Sequence, residues 1–87
     1  MNYLKFDLGI LNSGRVIEVT LRGSAANVRL FDYDNFFNYA RGHSYNSIGG
    51  LETKSPVRIN IPTRDHWVVV VDMEGLKGTP DASVIVH

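Results

Sequence analysis

Several short stretches of the chain alternate strictly between apolar and polar side chains. Leu4, Phe6 and Leu8 alternate with Lys5 and Asp7, and Ile17, Val19 and Leu21 with Glu18, Thr20 and Arg22. Ala26, Val28 and Leu30 alternate with Asn27 and Arg29, and Val57, Ile59 and Ile61 with Arg58 and Asn60. Successive side chains of a strand point to opposite faces. This spacing therefore predicts four strands, within residues 4–8, 15–22, 26–32 and 57–61, each with one buried and one wet face. The run Trp67-Val68-Val69-Val70-Val71 does not alternate. Bounded by Asp65 and Asp72, it reads as a central strand covered on both faces. A last strand, residues 83–86, turns Val84 and Val86 inward. Asn12-Ser13-Gly14 and Gly23-Ser24 supply turns, Pro62 ends a strand, and Gly75, Gly78 and Pro80 mark the final connection as a loop.

The middle of the chain follows another rule. Six of the nine aromatic residues fall between Phe31 and Tyr45. A short helix over residues 35–41 is predicted, with Asp34 as its N-terminal cap and Gly42 as the left-handed residue that ends it. Phe36, Phe37 and Ala40 would share one side of it. Phe31, Phe36 and Phe37 are expected to plug an open end of the sandwich, on burial grounds. Tyr33, Tyr39 and Tyr45 carry hydroxyls that need water or a partner, which leaves core and surface both open to them. Residues 42–55 have little regular pattern and read as a long loop, a feature common at functional sites.

Length and charge narrow the function classes. Eighty-seven residues make room for one domain, residues 1–87, and nine basic and nine acidic side chains cancel. The pI near 6.8 is far from that of a basic nucleic-acid binder, and no polybasic membrane anchor is present. There is no apolar run of membrane-spanning length and no leader-like start, so a soluble cytoplasmic domain is expected. The absence of cysteine excludes disulfides and thiolate chemistry.

Candidate chemistry is sparse. Asp32-x-Asp34-Asn35 offers oxygen ligands of the kind calcium takes, but the EF-hand loop pattern is missing, and strand end and helix cap explain both aspartates. His43, His66 and His87 lack zinc-site spacing, and His66 and Trp67 would point to opposite faces of their strand. Ser44, Ser47 and Ser55 lie near His43 without any nucleophile-elbow motif. Arg22, Arg29 and Arg58 take outward positions; in one sheet they would form a basic stripe able to grip a carboxylate or phosphate, and otherwise they are solvated face residues.

The string RVIEVTLRGSAANVRLFDYDNFFNYARG, followed by SPVRINIP, HWVVVVDMEGLKG and ASVIV, resembles a small bacterial family known as a domain of unknown function, over Tyr3 to Val86. The resemblance implies a compact, largely β domain without assigned catalytic residues. Similar domains also occur beside TIR domains in longer bacterial chains, which implies a sensing or interaction role in signalling or defence.

The reading is an all-β (β-rich) fold, a small antiparallel β-sandwich or partly open barrel of about six strands with one short helix. The expected function is a non-catalytic binding or interaction module, for a protein or a small polar ligand, with no metal and no cofactor. Its candidate surface comprises Asn35, Tyr39, Arg41, His43, Tyr45 and Asn46, with Arg29 and Arg58 as anchors from the sheet face. Two alternatives stand beside it: a small hydrolase or metal-dependent enzyme using His43 or His66 with a nearby acid, and a homodimer joined through strand edges.

Overall fold

The computed structural model describes residues 2–87. Seven strands and one helix follow in the order β1 (Tyr3–Leu11), β2 (Val16–Leu21), β3 (Ala26–Asp32), α1 (Tyr33–Ala40), β4 (Ile48–Glu52), β5 (Val57–Asn60), β6 (Asp65–Asp72) and β7 (Ala82–Val86). They form two antiparallel sheets, one of four strands in the order β1-β6-β3-β4 and one of three in the order β5-β2-β7. Neither sheet closes into a barrel, and the arrangement is a β-sandwich.

Alternation places the main core. Ile17 and Val19 from β2, Val28 and Leu30 from β3, and Val69 and Val71 from β6 meet between the sheets with no exposed surface. Leu4, Phe6 and Leu8 of β1, and Val84 and Val86 of β7, pack against this layer. A bulge between Asp7 and Gly9 shifts the register of β1, so that Leu11 as well as Leu8 faces the core.

Val68 and Val70 point the other way, into a second cluster with Phe31, Phe36 and Tyr39. Helix α1 lies on that outer face of the four-stranded sheet and explains why β6 does not alternate. The molecule therefore has three layers, helix on sheet on sheet. Consequently, Phe31 and Phe36 do not plug an open end of the sandwich, as expected from the sequence, but form the helix–sheet layer. Phe37 is no core plug: it is 36% exposed, with Arg41 over its ring.

Other expectations are corrected locally. Helix α1 begins at Tyr33, and its cap is Asp32, whose Oδ1 accepts from the Asn35 amide at 2.9 Å. Asp34 sits in the first turn instead. At the far end, Gly42 takes φ +75° as predicted. Part of the long loop is a strand, β4, so the strands number seven among the described residues. Gly49 in β4 has φ +99°, and a Cβ there would lie 2.4 Å from the Val28 carbonyl oxygen. Finally, Arg29 lies in the four-stranded sheet and Arg58 in the other, so there is no common basic stripe. Arg22, Arg29 and Arg58 each pair with an acid instead: Asp81, Asp72 and Glu18.

Candidate functional site

The register of β3 on β6 sets Asp32 opposite Trp67. The end of β3, the first turn of α1 and the start of β6 therefore meet at one end of the two central strands of the four-stranded sheet. Two adjoining cavities open there. One, of about 230 Å³, is lined by Asp32, Tyr33, Asp34, Asn35 and Asp65. The other, of about 130 Å³, is lined by Leu30, Asp32, Asn35, Asn46, Ser47, Ile48 and Trp67. Asp32 and Asn35 belong to both and form the wall between them. Neither cavity has a lysine or arginine in its lining.

That wall is fixed by hydrogen bonds. The Asn35 side-chain amide donates to both Asp32 carboxylate oxygens, at 3.2 and 3.1 Å. Its Oδ1 accepts from the Asn46 backbone amide at 2.8 Å, which ties the loop to the helix. On the floor, Trp67 donates its indole N–H to the Thr63 carbonyl at 2.9 Å. Beside the larger cavity, the Tyr33 ring stacks on His66 with centroids 4.3 Å apart, and His66 Nε2 contacts Asp7 Oδ1 at 2.6 Å. The hydrogen bond from His66, and the one from the Gly9 amide, hold the Asp7 carboxyl below the usual carboxylate range. His66 thus has a nearby acid, as the hydrolase alternative requires, though no hydroxyl among the described residues hydrogen-bonds its ring.

A second polar constellation lies under the C-terminal half of α1. Asp72 has no exposed surface. It accepts from Asn27 Nδ2 at 2.7 Å, Arg29 Nε at 2.8 Å, the Tyr39 hydroxyl at 2.7 Å and the Glu74 amide at 3.0 Å. Burial pushes its carboxyl up, but the hydrogen bonds from Arg29, Tyr39, Asn27 and Glu74 outweigh that and keep it below the usual range. Burial and the bond to Asp72 raise the Tyr39 hydroxyl well above an ordinary phenol. Arg29 lies over both the Tyr39 and Tyr45 rings, 5.9 and 5.7 Å from their centroids. No buried side-chain polar atom lacks a partner among the described residues. The hub is thus a fully satisfied structural network that joins helix to sheet.

The eight residues singled out from the sequence divide accordingly. Asn35 and Asn46 meet in the cavities. Arg29, Tyr39 and Tyr45 gather at the Asp72 hub, with Tyr39 buried. Arg41 caps the end of α1 over Phe37, and His43 is exposed, its amide bonded to the Asn38 carbonyl. Arg58 lies on the other sheet, 2.8 Å from Glu18. Sequence reasoning did not place Asp65, Ser47 and Trp67 in a site, or Asn27 and Asp72 in a hub. The available signal was an aspartate at the end of one strand and another at the start of a second, and only the strand pairing brings them together.

Among the described residues, no group of three or more histidines, aspartates or glutamates is arranged to hold a metal ion, and no helix is long and apolar enough to cross a membrane. Comparison with curated proteins and with solved structures finds no match. The family resemblance is a different matter: over residues 1–87 the chain matches the model of the family described as "Domain of unknown function (DUF1883)", and it belongs to that family.

Proposed function

We propose that the domain is a non-catalytic binding module whose site is the acid-lined groove at the start of α1. The supporting observation is the make-up of the two adjoining cavities: Asp32, Asp34 and Asp65 line the larger, Leu30, Ile48 and Trp67 line the smaller on the other side of the Asp32–Asn35 wall, and no cationic side chain lines either cavity. Carboxylates and amides beside an apolar surface suit a small polar group that is cationic or rich in hydroxyls. They repel an anion. Cavities of this size fit a head group or the tip of one side chain. In this reading Arg29, Tyr39 and Tyr45 are scaffold, and Arg41, His43 and Arg58 take no part. In the bacterial signalling or defence setting that the resemblance implies, the groove is a cytoplasmic sensing element.

The test is a titration followed by two-dimensional amide NMR. Blocked arginine and lysine stand for a partner's side chains, polyamines and monosaccharides for free small molecules, and small carboxylates serve as negative controls. Amides of Asp34, Asn35, Asn46 and Ser47 and the Trp67 indole should move with a cationic or hydroxyl-rich probe and stay still with the carboxylates. If no probe binds below roughly 10 mM, or if the shifts gather around His43, Tyr45 and Arg58, the reading is wrong.

A further inference from the structure

The two sheets expose four edge strands, and three of them carry features that hinder pairing with another chain. Strand β1 is bent by the bulge at Gly9 and bears Lys5 and Asp7. Strand β4 contains two glycines, one at φ +99°, and ends in Glu52. Strand β5 has four residues, carries Arg58 and lies between Pro56 and Pro62. Bulges, charges, prolines and shortness are the usual protections of a free edge. Strand β7 has none of them. Its residues, Ala82-Ser83-Val84-Ile85-Val86, include no charge, glycine or proline, and their β-branched side chains favour pairing. Ile85 is 54% exposed, and Val84 and Val86 are only partly buried.

We propose that β7 pairs antiparallel with β7 of a second copy of the chain, joining the two three-stranded sheets into one of six strands. The sequence is self-complementary about Val84. A two-fold axis there sets Val84 against Val84 of the partner subunit, Ala82 against Val86 of the partner subunit and Ser83 against Ile85 of the partner subunit. The same register sets Asp81 against His87 of the partner subunit, opposite in charge when the imidazole is protonated. On the inner face, the half-buried Val84 and Val86 would extend the apolar layer across the axis. On the outer face, Ile85 would lose its exposed flank. The groove lies at the four-stranded sheet, so pairing leaves it free, and the two proposals stand or fall separately. One strand pair buries less than the ~1,200 Å² of a standard stable interface, so a dissociation constant on the order of 10–100 μM is expected.

Sedimentation velocity across a concentration series provides the test. The weight-average mass should rise from 9.7 kDa toward twice that value as concentration increases through this range. Ile85→Lys puts a charge on the exposed side of the edge, opposite Glu18 in the neighbouring strand, where the fold tolerates it. It should weaken association at least tenfold, and the pair Ser83→Lys with Ile85→Lys should abolish it by setting lysines against one another. Ile10→Lys, on the exposed face of β1, should leave association unchanged. A monomer at millimolar concentration overturns the proposal, as does a dimer indifferent to Ile85→Lys. Circular dichroism and the melting temperature confirm that each variant is folded.

Discussion

Asp72 is the residue on which the helix–sheet layer depends most. A carboxylate with no contact to water is tolerated only because four donors surround it, one of them the guanidinium of Arg29, whose side chain is 16% exposed. Asp72→Asn keeps the shape but takes away the buried countercharge of Arg29, leaving only the exposed Glu74 carboxylate at 3.5 Å. It should lower stability by about 3 kcal/mol, measured by urea unfolding. Tyr39→Phe removes one donor and leaves the ring in place, and should lower it by about 1 kcal/mol. The pH dependence follows from the depressed pKa of the folded carboxyl. Folded Asp72 binds its proton more weakly than the unfolded chain, whose carboxyl titrates near ~3.9. Acid therefore favours unfolding. The stability that Asp72 contributes is fully present above the unfolded value and is lost as pH falls through the folded one. The difference between wild type and Asp72→Asn should be constant from about pH 5 to 8 and should shrink below about pH 4, and melting curves across that range measure it.

At the scale of elements, α1 decides what the neighbouring sheet buries. Asp32→Ala removes the cap and the anchor of Asn35, and should cost about 1 kcal/mol. Gly49→Ala forces a Cβ against the Val28 carbonyl at a backbone angle that L residues avoid, and should cost about 1–3 kcal/mol. Its effect should appear first as faster amide exchange along β4 and β3. How far these elements can be read from the sequence depends on the periodicity each one carries. The unbroken valines of β6 already imply a cover on each face, and the structure supplies it as the second sheet on one side and α1 on the other. In β4 the signal is missing for a physical reason. Ile48 and Leu51 face opposite sides, two glycines lie between them, and both remain substantially exposed, so nothing repeats every second residue. The cap was ambiguous because Asp32 and Asp34 are both good caps, and only the start of the helix at Tyr33 chooses between them. Asn27 and Arg29 look like wet-face residues because alternation cannot reveal that a helix covers that face.

Across the whole molecule, the paired strand ends create what no local pattern contains. Asp65 and Asp32 are far apart in sequence and line one cavity because β3 and β6 run antiparallel side by side. The aromatic midsection, whose composition suggests a recognition surface, contributes mainly to the packing of α1 on the sheet, and the groove opens beside it. The most direct measurement of this account is the affinity of the best cationic probe for the wild type and for the double variant Asp34→Asn, Asp65→Asn. Both carboxylates are exposed, so the melting temperature should move by only a few degrees. Affinity should fall at least tenfold, whereas equal affinity in the two proteins would contradict a binding site at the start of α1.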